Sequence, residues 1–220
     1  MSLGKLTYFP VMAKGLQLAL IAEFSGKEWE GETKTRGPGE RDWPQLKVET
    51  PFGQMPFLAT PEGLTVGQSV AIANYIGRKG DMLGKTDAEF AISQMCLAEG
   101  EDLYNMMGAA KLQRWQAPEN RLPKEEVEKV WAEGFPPHLA NLEKLCVQPA
   151  GFTSTGTTAG ELYLFGMIYQ MTLMRPDCLA SFPALKKWFD TLAADPKTQK
   201  VVGGTSAIGT LAQYFINADA

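Results

Sequence analysis

The sequence predicts an α/β unit followed by an all-helical one. Up to about residue 80, short runs of β-forming residues alternate with helix-spaced apolar stripes. Beyond that point no strand pattern recurs, and apolar residues repeat only at helical spacing. The change falls at the polar, glycine-bearing run GDMLGKT, Gly80–Thr86. The boundaries are therefore 1–80 for the α/β unit, 81–86 for a linker and 87–220 for the helical unit. A unit of about 80 residues is near the lower size at which a domain stands alone.

Each element has a local reason. KLTYF (Lys5–Phe9) alternates and is rich in β-formers, which makes it the first strand. Lys14 to Phe24 places Leu16, Leu20 and Phe24 on one helical stripe, with Gly26 as a stop. KEWE (Lys27–Glu30) reads as a short second strand, and Gly31 to Gln45 as a polar loop around Gly37-Pro38-Gly39. Phe57–Thr60 and Leu64–Val66 are strands about the turn Pro61–Gly63, and Gln68 to Lys79 is a helix stopped by Gly80. In the second unit, Thr86 with Glu89 fits a capping box opening a helix to about Gln113. Lys124 to Leu145 is helical, with Pro136-Pro137 bending or interrupting it. Thr158 and Glu161 make a second capping box ahead of LYLFGMIYQM. Pro183 suits the first turn of a helix to about Ala194, and Pro196 starts a short last one.

Bulk properties narrow the function. The net charge is −4 with Lys and Arg scattered, so no nucleic-acid surface is indicated. MSLGKLTYFP lacks a charged-then-apolar leader pattern, and no apolar run is long enough for a bilayer. A cytoplasmic protein without membrane contact is the expectation. Cys96, Cys146 and Cys178 stand far apart with no C-x-x-C, which indicates neither a dithiol nor a zinc site. The single histidine, His138, cannot build a metal cluster or a histidine-based triad, and no metal is expected.

Several residues carry a bland and a chemical reading. Gln68 and Ser69 stand where a helix leaves its first N–H groups unpaired, as a cap or as an anion site at the positive end of the dipole. Tyr8 ends the first strand, where a half-buried core tyrosine is the commoner reading and a ligand-facing one the alternative. Pro56, in GQMPFL, marks an edge, a turn or a cis bond, a trans turn being the commoner form. Trp43 and Lys47 in DWPQLK are a packing plug and a surface charge, or a pair bracketing a carboxylate through indole N–H and ammonium. Glu101 and Asp102 fall mid-helix, where charge mostly marks a solvated face, and no histidine or further carboxylate joins Glu99 at a metal-holding interval. Met95, Tyr104, Met106 and Met107 make that helix soft and apolar: core, dimer seam, or a pocket for varied apolar ligands.

Taken in order, LTYF, DWPQLK, PFGQMPFL and GLTVGQSVAIANYI, followed by PPHLANLEKL, TTAGELYLF and FPALKKWFDTLAADP, resemble the cytosolic glutathione transferases. The likeness covers nearly the whole chain and is nearest the sigma class, which includes haematopoietic prostaglandin D synthase-type enzymes and the lens S-crystallins. It implies a thioredoxin-like N-terminal domain, an all-helical C-terminal domain, a homodimer, glutathione as co-substrate and detoxifying conjugation of apolar electrophiles. By this resemblance Gln68 and Ser69 bind the γ-glutamyl carboxylate of glutathione. Met55-Pro56 matches the family's cis-proline, where the Met55 backbone pairs strand-like with the cysteinyl unit and Gln54 lines the same site. Trp43 and Lys47 match residues near the glycyl carboxylate. Asp102 matches an acid reaching the γ-glutamyl amine of the partner subunit's glutathione. Tyr8 matches the catalytic tyrosine, whose hydroxyl favours the thiolate over the thiol. Phe9, Val11, Ala13, Tyr104, Met107 and Phe215 correspond to the pocket for the apolar substrate.

The sequence also departs from the family pattern. Lys14 stands where close relatives carry arginine, and a point charge is not equivalent to a guanidinium fork. Glu161 replaces an aspartate in the second capping box, and the loop Gly31–Arg41 is longer than usual. Ala98 and Ala109 stand where prostaglandin-synthase relatives carry aspartate and tryptophan, which favours conjugation over isomerisation. The competing readings are a glutathione-dependent isomerase or peroxidase, and a non-catalytic, crystallin-like or ligand-carrying member of the fold.

Overall fold

The structure, a computed structural model, describes residues 2–35, 43–146 and 151–216. Strand β1 (Lys5–Tyr8) is buried along Leu6, Thr7 and Tyr8 and sits inside a four-stranded sheet. β2 (Glu30–Thr33), β3 (Phe57–Ala59) and β4 (Thr65–Gly67) complete it in the order β2-β1-β3-β4. β1 pairs with β2 in parallel and with β3 antiparallel, and β3 pairs with β4 antiparallel. Parallel pairing needs a crossover, which α1 (Ala13–Phe24) supplies. A short helical turn, α2 (Trp43–Leu46), precedes β3, and α3 (Ser69–Lys79) follows β4.

The helical half comprises α4 (Asp87–Ala109), α5 (Lys124–Lys129), α6 (Phe135–Leu145), α7 (Ala159–Met174), α8 (Pro183–Ala194) and α9 (Pro196–Val202). α7 is apolar on every side because it is packed on every side, against α1, α3 and α4. α1 packs on α3, α7 and α9 and is buried from Gly15 to Ala22, so one continuous core joins the two halves. The C-terminal tail ties them further. Ala212 exchanges backbone hydrogen bonds with Pro10 and Met12, while Tyr214 and Ile216 bond to Arg114 and Leu112 beyond the end of α4.

Four expectations need correction. The second strand is Glu30–Thr33, overlapping KEWE only at Glu30, and Gly31–Thr33 is therefore strand rather than loop. The cause is tertiary: β2 crosses so close to the C-terminal segment that a Cβ on Gly31 would stand 2.4 Å from Ile208 Cα. The rest of the expected long loop lies largely at residues 36–42, outside the described residues. The long helix stops at Ala109 rather than near Gln113, with Lys111 at φ 53° just beyond it. Lys124–Leu145 is helical throughout, as expected, but its irregularity does not fall at the prolines. Pro136 and Pro137 lie in the first turn of α6, where a missing N–H costs nothing, and the irregularity precedes them as a π turn over Val130–Gly134. The Thr86 cap is half a box: its hydroxyl accepts from Glu89 N–H at 3.2 Å, but the Glu89 carboxylate turns to Lys85 N–H and to Ser154 and Thr155. At α7 the box is reciprocal, Thr158 N–H donating to Glu161 at 2.8 Å and Glu161 N–H to Thr158 at 3.3 Å.

Candidate functional site

A cleft of about 420 Å³ opens between the end of β1, the start of α3, the segment 53–56 and the middle of α4. Tyr8, Phe9, Lys14, Trp43, Gly53, Gln54, Met55, Pro56, Gln68, Ser69, Glu101 and Tyr104 line it.

Tyr8 is the last residue of β1, and its ring lies against the first turn of α1. A Cβ on Gly15 would come within 2.6 Å of Tyr8 Cδ1, so glycine is what lets the ring lie there. The Lys14 backbone N–H donates to the Tyr8 hydroxyl at 3.4 Å. A phenol oxygen that accepts an N–H retains its own O–H as a donor. Tyr8 is only 6% exposed, and a hydrogen bond made there is stronger than one in water.

Beside it lies a compact charged group. The Lys14 ammonium pairs with Glu101, stands 3.3 Å from the Tyr163 hydroxyl and lies 3.8 Å from the centre of the Tyr104 ring. Tyr163, fully buried on α7, donates its hydroxyl to the same Glu101 carboxylate. Burial holds the Lys14 pKa below the ordinary lysine value, against the opposing pull of Glu101. Burial raises the Tyr163 pKa, with Glu101 adding to it and a hydrogen bond with Ser69 opposing. Tyr104 is raised as well, chiefly by burial.

The third component is the start of α3. Gln68 precedes the helix at φ 67°, ψ 119°, in a region that L-residues seldom occupy. Its carboxamide donates to Gln54 at 3.2 Å, and it places no side-chain cap on the helix. The opening N–H groups of α3 therefore adjoin a cleft wall formed by Gln68 and Ser69. The Met55-Pro56 bond is cis; the commoner trans form expected from the proline alone is not what the chain adopts. Trp43 meets Phe9 edge-on at 5.9 Å.

Of the residues singled out from sequence, Tyr8, Phe9, Lys14, Trp43, Gln54, Met55, Pro56, Gln68, Ser69 and Tyr104 converge on this cleft. Ala13, Met107 and Phe215 do not line it; each is fully buried, and Phe215 backs the Tyr104 ring at 5.4 Å. Val11 is held away in a bridge with Ala212. Lys47 is exposed outside the lining, its stem running past Gly53. Asp102 is exposed on α4 and borders a second groove of about 260 Å³ with Ile92, Met95, Leu142, Leu145 and Phe152. Glu101, read from sequence as part of a solvated face, belongs to the cleft instead. Gly15 and Tyr163 were not singled out at all. The only signal for Tyr163 was a tyrosine within a helix apolar all round, where a phenol must find a polar partner.

The cleft contains a phenol donor, a cation and uncapped helix N–H groups, and its described lining holds no thiol. The three cysteines are free and line no part of it. Burial raises the pKa of all three, Cys146 and Cys178 to about 11. Among the described residues no three His, Cys, Asp or Glu side chains converge as a metal-holding group. The arrangement suits an anionic ligand that brings its own nucleophile.

Comparison with known proteins agrees. The family model for the glutathione S-transferase N-terminal domain matches residues 4–78, and that for the C-terminal domain matches residues 102–201. Glutathione S-transferase 1 of Ascaris suum is 31% identical over 199 residues, covering 89% of this chain and 93% of that protein. The haematopoietic prostaglandin D synthase of Rattus norvegicus is 26% identical over 193 residues, covering 87% and 91%. The crystal structure of the glutathione S-transferase from Ascaris lumbricoides superposes with a TM-score of 0.76 at 29% identity, covering 90% of this chain and 95% of that one. With a thioredoxin-like α/β half, a helical half and matches spanning both, the chain belongs to the glutathione S-transferase family.

Proposed function

We propose that this protein joins the thiolate of glutathione to apolar electrophiles, with Tyr8 as the residue that stabilises the sulfur anion. One observation carries the reading: the Tyr8 hydroxyl and the uncapped start of α3 share one cleft, so a single ligand can meet both. The γ-glutamyl carboxylate of glutathione sits at Gln68 and Ser69, where helix N–H groups and the positive dipole end favour an anion. The Met55 backbone, with Gln54 beside it, pairs with the cysteinyl unit, while the Trp43 indole and the outlying Lys47 ammonium serve the glycyl carboxylate.

Tyr8 then donates its O–H to the sulfur. A free cysteine thiol has a pKa near 8.5, and a hydrogen bond to a charged group contributes about 1.5–3 kcal/mol, which lowers that pKa by about one to two units. The proton leaves to solvent. The thiolate attacks an electrophilic carbon, the S–C bond forms, and the leaving group departs with its electron pair. Phe9 and Tyr104 face that carbon's apolar body, with Val11, Ala13, Met107 and Phe215 as the packing behind them. Conjugation is favoured over isomerisation because Ala98 and Ala109 carry no polar group for the latter. A purely structural role does not call for a phenol, a cation and an open helix end in one cleft. The enzyme is read as sigma-class, cytoplasmic and detoxifying. It is a homodimer in which Asp102 reaches across to the γ-glutamyl amine in the partner's cleft.

Glutathione binding by calorimetry, ultraviolet titration of the bound thiolate and conjugation of chloro-dinitrobenzene test this together. Tyr8→Phe is expected to leave affinity within about threefold while raising the bound thiol's pKa by about one to two units. An unchanged titration curve rules Tyr8 out as the activating donor.

A further inference from the structure

We propose that Tyr163, on α7 in the helical half, is a positioning residue that holds the Lys14 ammonium beside the reacting sulfur. The inference rests on the glutathione reading and deepens it. A lysine ammonium is a point charge on a four-carbon stem, and only its contacts decide where it stands. Three contacts locate this one: the Glu101 carboxylate, the Tyr163 hydroxyl at 3.3 Å and the face of Tyr104 at 3.8 Å from its centre. They come from two helices, α4 and α7, while Lys14 itself is on α1. Tyr163 closes the triangle, because its single proton goes to Glu101 and its oxygen accepts from Lys14.

The hydroxyl has no solvent to turn to. Tyr163 is exposed to neither cleft nor surface, at 0% accessibility, and its phenol is held neutral by burial next to Glu101. A buried neutral dipole that bonds both members of an ion pair fixes the pair's geometry without adding charge. The titratable groups around the ammonium are Tyr8 from β1, Glu101 and Tyr104 from α4, and Tyr163 from α7. Ser69, at the start of α3, lines the same cleft as Lys14 and Glu101. With Tyr163 reduced to a phenyl ring, Glu101 loses a donor and Lys14 an acceptor. The ammonium is then free to swing with its carboxylate about the remaining contacts.

The test uses the full chain and four proteins: wild type, Tyr163→Phe, Lys14→Met and the double variant. Thermal unfolding first establishes that each is folded. The readouts are glutathione affinity by calorimetry and the pKa of the bound thiol by ultraviolet titration. Tyr163→Phe is expected to leave affinity within about threefold and to raise the bound thiol's pKa by about 0.5–1 unit. In the Lys14→Met background the same change is expected to add nothing, because the cation it positions is gone. A shift of equal size in both backgrounds, or none in either, overturns the positioning role. Should Tyr163→Phe fail to fold, Tyr163→Met replaces it with the same expectations, since it too removes the hydroxyl and leaves Lys14 and Glu101 in place. Wild type that does not bind glutathione overturns the glutathione reading itself, an outcome distinct from binding with an unmoved titration.

Discussion

Gln68 shows how one residue serves the site at a cost to the scaffold. Its φ of 67° with ψ of 119° is strained for any residue with a Cβ, and strain of this kind costs about 1–3 kcal/mol. In return the chain enters α3 with its first N–H groups uncapped, and the carboxamide is oriented by Gln54 at 3.2 Å. The two contributions separate by substitution. Gln68→Gly relieves the backbone and is expected to stabilise the fold by about 1 kcal/mol in denaturant unfolding. It also removes a donor from an anion site and is expected to weaken glutathione binding by about tenfold or more. A variant that lost stability and kept its affinity would place Gln68 in the scaffold only. Gln68 was legible from sequence because a polar pair at a helix start has few explanations. Glu101 was not, because a charge in mid-helix has many, and what decides between them is Lys14, 87 positions away along the chain.

Among the elements, the join between α4 and the loop ahead of α7 rests on one carboxylate. Glu89, in the first turn of α4, accepts from Lys85 N–H at 2.8 Å, from the Ser154 hydroxyl at 3.0 Å and from the Thr155 hydroxyl at 2.6 Å. These bonds, that from Thr155 foremost, hold its pKa at about 2 against an ordinary value of 4.5. A carboxyl whose folded pKa is depressed stabilises the fold above its unfolded pKa, and that contribution is lost as pH falls towards the folded value. Wild-type melting temperature is therefore expected to drop as pH falls from about 4.5 towards 2. Glu89→Gln is expected to melt a few degrees lower at neutral pH and to show a shallower acid decline over that window. Parallel melting curves for the two proteins would remove Glu89 from the join. The Thr86–Glu89 spacing pointed to this cap, but only as a local box, because Ser154 and Thr155 are invisible to a four-residue pattern. The same limit explains β2. EGET lacks a strong strand signature, yet it pairs from Lys5↔Glu30 to Tyr8↔Thr33, since contacts from β1 and the C-terminal segment decide its place. Where local chemistry and tertiary contact agree, as at the Thr158–Glu161 box and the Pro183 start of α8, the start of the element was legible to within a residue.

At the scale of the whole molecule, the chain exposes large apolar side chains on neighbouring helices beside a groove that Asp102 borders. Asn74 and Gln94 exchange amide hydrogen bonds at 2.8 and 3.2 Å, so α3 and α4 lie side by side. One turn earlier on each helix, Val70 and Phe90 remain 36% and 46% exposed, and Met95 and Leu145 are 48% and 44% exposed along the second groove. Exposed large apolar side chains that gather on neighbouring helices, here α3, α4 and α6, mark an interaction surface more often than a solvated one. Asp102 stands at the rim of that groove, turned away from its own cleft, and the proposed homodimer gives it a role in the other. If so, assembly and affinity are linked. Met95→Glu sets a charge into the groove and is expected to convert a dimer to a monomer in light scattering, with glutathione affinity falling about tenfold or more as the charge-assisted contact is lost. Asp102→Ala is expected to remain dimeric with a similar loss of affinity. If wild type is a monomer that binds glutathione as tightly as its Asp102→Ala variant, the cleft is complete within one chain and Asp102 has no part in it.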